Sequence, residues 1–195
     1  MTPGLKPFNR ATLEEAFERL GRIAVDAGKI VELSVYGGSA LILTTNFRVA
    51  TQDVDAVFET DRTFVRSAAA AIAMEFGWPS DWLNDGVKGF LSANDGEKDA
   101  KRLFRSYPSE SAPGLRVFVA SAPYLFAMKC LAMRAGGVEQ NQDIEDIRQL
   151  GAALKVTSAA EALDVVMRYY PAERLPPKTR FGLEEIFGAP SARGV

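Results

Sequence analysis

The sequence contains no histidine and only one cysteine, Cys130. Without histidine there is no Ser-His-Asp or Cys-His catalysis and no histidine-ligated zinc. One cysteine excludes an internal disulfide and fits a reducing compartment. No apolar run approaches the ~18 residues that a membrane span needs, and the opening residues lack the apolar stretch of a secretory signal. The expectation is a cytoplasmic protein with no membrane partner. A surplus of charge is also missing: 23 Lys and Arg stand against 25 Asp and Glu, a formal net charge of −2. That balance gives no global attraction to nucleic acid, so an RNA partner would need a local basic patch. Any metal should be a hard cation bound by carboxylate oxygens.

What is present is the material of an ordinary globular protein. The 195 residues are 47% hydrophobic and 25% charged, enough for a substantial core. Leu13, Ala16, Phe17, Leu20, Ile23 and Ala24 recur at helical spacing behind Asn9 or Thr12 as cap, with Gly28 as the stop. Val31 to Tyr36 alternates as a strand, which Gly37-Gly38 breaks, and Ser39 is placed to cap a short helix. Thr51 to Phe58 reads as a second strand, and Arg62 to Phe76 as an Ala-rich helix ended by Gly77. Trp78 to Gly114 predicts loops with one or two short strands. Leu115 to Ala120 is a strand. Helices follow at Tyr124 to Arg134, Gln142 to Leu150, from Ser158 with Glu161 as a capping box, and Gly182 to Phe187. Gly136-Gly137 separates the first two of these, and Pro171, Pro176 and Pro177 loosen the chain before the last. The order predicts an α/β (α+β) protein with a small mixed sheet over 1–122 and a helical C-terminal region over 123–195.

Two segments carry chemistry. In Val35-Tyr36-Gly37-Gly38-Ser39-Ala40, a strand delivers two glycines and a serine into a helix start, where backbone N–H groups can approach phosphate oxygens without obstruction by a Cβ. Ser39 adds a hydroxyl for a phosphate or for the helix cap. A plain strand-to-helix turn would use the same residues. In Thr51-Gln52-Asp53-Val54-Asp55, residues i and i+2 of a strand share a face, so Asp53 and Asp55 point the same way, roughly 6–7 Å apart. Paired carboxylates repel on such a face, and a divalent cation offsets that repulsion; solvated acids at an exposed strand start are the alternative. Thirteen residues separate Ser39 from Asp53, room for a helix and a return to a neighbouring strand.

This combination resembles the nucleotidyltransferase superfamily, whose signature is a hydrophobic residue, Gly-Gly or Gly-Ser, then an acid-x-acid pair. Tyr36-Gly37-Gly38-Ser39-Ala40-Leu41 followed by Arg48-Val49-Ala50-Thr51-Gln52-Asp53-Val54-Asp55 is similar to the branch containing AbiEii-type toxins and their bacterial relatives. Arg48 and Thr51 match positions usual in that branch. Pro123 to Arg134 is similar to its lysine-bearing segment, through Lys129, and Gln142 to Ile147 to its Asp-x-x-Asp segment, through Asp143 and Asp146.

The resemblance implies a nucleoside triphosphate as substrate and Mg²⁺ or Mn²⁺ as cofactor. Gly37, Gly38, Ser39, Arg48, Thr51, Lys129 and Asp143 would bind nucleotide, Asp53 and Asp55 the metal, and Asp53, Asp55, Lys129 and Asp146 would carry catalysis. The acceptor would be an RNA, protein or small-molecule hydroxyl, with a toxin-type role and a cognate antitoxin among the partners. A non-catalytic protein on the same fold is the alternative. Physically, Lys129 on an apolar helix suits contact with triphosphate oxygens; a structural Lys–Asp salt bridge between neighbouring helices is the alternative.

Two departures stand out: the strand Leu115 to Ala120 holds Arg116 and lacks the third acid many members carry, and Gln142 stands where an Arg often precedes the first Asp.

Weaker candidates are the basic cluster Lys98, Lys101, Arg102 and Arg105, expected to be a solvated face, Trp78 and Trp82, expected to pack rather than stack on bases, and Cys130, expected to be buried filler.

Overall fold

The computed structural model describes residues 7–133 and 138–188, the side chains of 138–141 excepted. The described residues form a mixed α/β fold of seven α-helices and one five-stranded sheet. The chain divides into two compact units, Met1–Gly89 with Glu97–Ala120, and Phe90–Gly96 with Ser121–Val195. The expected boundary at 122 falls close to the third crossing, between Ala120 and Ser121. The sequence did not foretell that residues 90–96 leave the first unit.

In the first unit, helix α1 (Arg10–Asp26) is capped by Asn9, whose side chain accepts from the Thr12 amide at 3.0 Å. It is followed by β1 (Val31–Val35), α2 (Gly37–Thr44), β2 (Val54–Phe58), α3 (Arg62–Phe76), β3 (Leu83–Asn84), a short 3₁₀ turn (Gly86–Phe90), β4 (Lys101–Pro108) and β5 (Pro113–Ala120). The sheet order is β3-β2-β1-β5-β4, parallel for β1–β5 and β2–β3 and antiparallel for β1–β2 and β4–β5.

Register divides the sheet into two unlike faces. One holds Val31, Leu33, Val35, Val54, Ala56, Leu115, Val117 and Val119, all fully buried. Helix α1 lies on this face: Phe17 packs on Tyr107 at 5.8 Å between ring centroids, and Gly21 passes so close that a Cβ there would lie 2.6 Å from the Tyr107 carbonyl oxygen. The other face carries the sheet's polar side chains, some exposed and some buried. Its rows run Asp55, Tyr36, Ala120, Lys101 at one end and Glu59, Glu32, Arg116, Ser106 at the other. Ser34 and Lys101 both donate to Glu59, at 2.6 and 2.8 Å, and Arg116 meets Glu32 at 3.2 Å. Phe8, Trp78, Phe76 and Trp82 form an aromatic cluster, and the buried Trp82 indole N–H donates to the Ala69 carbonyl at 3.0 Å. Both tryptophans therefore pack, as expected.

The second unit contains α4 (Ala122–Ala132), α5 (Val138–Ala153), α6 (Ala159–Met167) and α7 (Pro177–Phe187). Its core includes Tyr124, Phe126, Ile147, Leu150, Ala162, Val166, Tyr170 and Leu183. Residues 90–96 join it through their backbone. Tyr170 donates its hydroxyl to the Phe90 carbonyl at 2.6 Å, Arg174 donates to Leu91 at 2.7 Å, and the Ser92 amide donates to Tyr124 at 2.8 Å.

Several expectations require correction. The second strand begins at Val54, and Thr51 instead exchanges backbone hydrogen bonds with Phe8 at 2.7 and 2.9 Å. The middle of the chain contains the eight-residue strand β4, longer than the short strands foreseen. Pro177 starts α7 rather than loosening the chain, because a proline at the first helical turn gives up only an amide that would lack a helical partner. Glu161 accepts from the Thr157 amide at 2.7 Å, one residue earlier than a capping box requires, while Ser158 caps α6 as expected. Arg134 and Gly136-Gly137 lie outside the described residues. Among the described residues, no helix is long and apolar enough to cross a membrane.

Candidate functional site

The candidate site of the first unit is built where β1 runs into α2. The N-cap position of α2 is Tyr36, whose own side chain makes no capping hydrogen bond. The first amides of a helix lack helical partners and carry the positive end of its dipole. Gly37 has φ +58°, a left-handed conformation that side chains rarely adopt. A Cβ on Gly37 would lie 2.7 Å from Asp55 Oδ2, so the missing side chain lets the carboxylate rest against the start of the helix. Gly38 does the same for two other groups: a Cβ there would lie 2.7 Å from Thr51 Oγ1 and 3.1 Å from Arg48 Nη2. Arg48 also donates through Nε to the Ala50 carbonyl at 2.9 Å. The glycine pair therefore brings Asp55, Thr51 and Arg48 onto one backbone turn.

Asp55 lies on the polar face of the sheet, between the buried Val54 and Ala56. Asp53 precedes the strand, so strand alternation does not orient it. Asn84 does. It pairs with Asp55 across the parallel β2–β3 contact, which puts the two side chains on one face. Its amide nitrogen donates to Asp53 Oδ2 at 3.0 Å, and its oxygen accepts from the Gly86 amide at 2.9 Å. Asn84 thus draws the Asp53 carboxylate to the side that carries Asp55. Sequence reasoning missed this residue, reading Asn84-Asp85-Gly86 only as a turn.

Ser39 is a correction. It neither caps α2 nor presents its hydroxyl outward. It lies within the helix, 1% exposed, and donates to the Asp53 carbonyl at 2.7 Å. The hydroxyl pins α2 to the chain entering β2, a positioning role for the acids that follow.

Asp53 and Asp55 offer oxygen ligands only. Among the described residues, no three acids, histidines or cysteines gather as a metal cage. The positions of β5 on the polar face are Arg116, Phe118 and Ala120, so no third carboxylate comes from that strand. A pair of carboxylates fits Mg²⁺, which takes one or two and completes its shell with water and substrate phosphates. It does not fit an ion that requires an all-protein cage.

Lys129, Asp143 and Asp146 belong to the second unit and form their own cluster between α4 and α5. Lys129 Nζ lies 2.7 Å from Asp143 Oδ1 and 3.0 Å from Asp146 Oδ2. Asp146 is completely buried, and Gln142 donates to its other oxygen at 3.4 Å. This is the interhelical salt bridge that the sequence allowed, with both aspartates on one lysine. Cys130 on the same helix is buried, and burial pushes its thiol well above the ordinary range, as expected of filler.

The basic cluster of Lys98, Lys101, Arg102 and Arg105 does not form one surface. Register on β4 puts Lys101 on the polar face with Glu59, and Arg102 and Arg105 on the opposite side, Arg105 beside Glu14 at 3.4 Å.

Compared with protein-family models, curated proteins and solved structures, the chain matches none of them.

Proposed function

We propose that the first unit binds a Mg²⁺–nucleoside triphosphate and transfers its nucleoside monophosphate to a hydroxyl acceptor. The observation that carries this reading is the packing of Asp55, Thr51 and Arg48 against Gly37 and Gly38 at the first turn of α2. Backbone amides and a guanidinium on that turn suit phosphate oxygens. Carboxylates beside it suit the metal that accompanies a triphosphate.

Asp53 and Asp55 would hold Mg²⁺, or Mn²⁺, which when bound supplies neutralisation of phosphate charge. Asn84 fixes Asp53, and Ser39 fixes the backbone that delivers it. The acceptor oxygen bonds to the α-phosphorus as the bond to the β-phosphate breaks; pyrophosphate leaves, and the hydroxyl proton passes to a carboxylate of the pair. Such chemistry depends on positioning and electrostatics, so the absence of histidine is no obstacle. A toxin-type role opposed by a cognate partner follows from the resemblance alone.

The missing third carboxylate favours a second reading, nucleotide binding without turnover. Incubation with α-labelled nucleoside triphosphates, Mg²⁺ or Mn²⁺, and total RNA or lysate separates the two. Label transfer that disappears in Asp53→Asn and Asp55→Asn supports the enzyme. Saturable binding without transfer under either metal supports the second reading.

A further inference from the structure

The edge of the sheet beside Asn84 carries a concentration of positive charge that the proposed reaction does not use. Asp85 follows Asn84 directly and is 18% exposed at its side chain. Three cations converge on it: Arg62 and Arg66 from α3, the latter at 3.2 Å, and Lys88 from the 3₁₀ turn at 2.9 Å. The cations hold the Asp85 carboxyl below its ordinary range, the Lys88 hydrogen bond first among them. One carboxylate cannot neutralise three cations, so the cluster has a local surplus of two positive charges in a chain whose net charge is −2. Exposed cations at this spacing repel only weakly in water, so the surplus stands as a positive patch open to an anion.

Three features describe the anion. The side chains of Arg62, Arg66 and Lys88 are 51%, 56% and 42% exposed, which suits a ligand lying along the surface rather than a phosphate enclosed in a pocket. Arg62 and Arg66 are one helical turn apart, about 5–6 Å between Cβ atoms, a ladder for successive charges. Asp85 also follows directly on Asn84, the residue that touches Asp53 at 3.0 Å, at the same edge of the sheet.

We propose that Arg62, Arg66 and Lys88 form the docking surface for the sugar–phosphate backbone of a single-stranded nucleic acid, the hydroxyl acceptor of the reaction proposed above. The assignment rests on that reading for the word acceptor; the docking itself does not.

Anisotropy of fluorescent 12-nucleotide RNA and DNA strands, measured over a salt series without nucleotide or metal, tests it. The native protein binds, and the slope of log affinity against log salt falls by about 0.7 for each cation removed in Arg62→Ala, Arg66→Ala and Lys88→Ala. The triple variant binds about tenfold or more weakly at low salt. The tighter of RNA and DNA identifies the source of the backbone. Asp85→Asn supplies the opposite sign: freeing the cations tightens binding, whereas a merely structural ion cluster predicts no tightening. An unchanged salt slope in the triple variant, weaker binding in Asp85→Asn, or equal binding of a polyglutamate peptide of matched charge overturns the proposal. Strand binding that persists while no Mg-nucleotide binds refutes the enzymatic reading alone; nucleotide binding without strand binding refutes this surface alone.

Discussion

The Asp55 carboxylate occupies the space that a side chain on Gly37 would need: a Cβ there would lie 2.7 Å from Oδ2. Gly37 is also left-handed, at φ +58°. Gly37→Ala therefore meets two penalties. The backbone penalty is about 1–2 kcal/mol, and the contact with Asp55 adds to it. Urea unfolding should show Gly37→Ala destabilised without any ligand. Asp55→Ala in the same background should restore the contact part and leave the backbone part. Equal stability of Gly37→Ala and the native protein would refute the close approach.

Asn84 is the residue that brings the two acids to one side, through its 3.0 Å hydrogen bond to Asp53. Removing the partner that orients a metal ligand typically weakens metal affinity about 10–100-fold. Asn84→Ala is expected to do so in a Mn²⁺ titration followed by electron paramagnetic resonance, with its folded circular dichroism spectrum retained. Native affinity in Asn84→Ala would show that Asp53 needs no orientation.

Lys129 holds two aspartates, one of them fully buried. Breaking a buried pair by removing one partner strands a charge and typically costs about 3–5 kcal/mol. Lys129→Met should lower stability in urea by that order. Lys129→Met combined with Asp146→Leu should recover part of the loss. If Lys129→Met leaves stability unchanged, the cluster is not what holds α4 to α5.

The parts of the fold that sequence made legible are those with local causes. Asn9, Ser158 and Gly77 mark helix ends through chemistry confined to a few residues, and α3 begins and ends at Arg62 and Phe76 as its pattern predicts. The glycine pair and the paired acids were legible for the same reason. The rest depended on neighbours remote in sequence. Strand β4 was obscured because the register shift between Leu103 and Arg105 breaks its alternation, and because charges on an edge strand resemble a loop. Ser39 looked like a cap until Asp53 was known to lie opposite its hydroxyl. Asn84 and the cations around Asp85 acquire meaning only from register and tertiary contact.

Glu161 carries an acid dependence of stability. Its carboxylate accepts from the Thr157 amide and hydroxyl at 2.7 and 2.8 Å, which holds it below its ordinary 4.5. A carboxylate with a depressed folded pKa stabilises above its unfolded value and loses that contribution as pH falls through the folded one. The urea midpoint of the native protein should fall below about pH 4.5, and Glu161→Gln should flatten part of that limb. Identical acid limbs in the two proteins would exclude Glu161 as a contributor.

The central claim is that one turn and two acids bind a metal-bearing nucleotide together, and calorimetric titration measures this directly. Each of the four common ribonucleoside triphosphates, with Mg²⁺ and with Mn²⁺, would be titrated into the native protein and into Asp53→Asn/Asp55→Asn. The account predicts saturable binding of at least one nucleotide, dependent on the metal and lost in the double variant while its unfolding midpoint shows it folded. Binding that survives unchanged in the folded double variant, or no binding of any nucleotide with either metal, would contradict it.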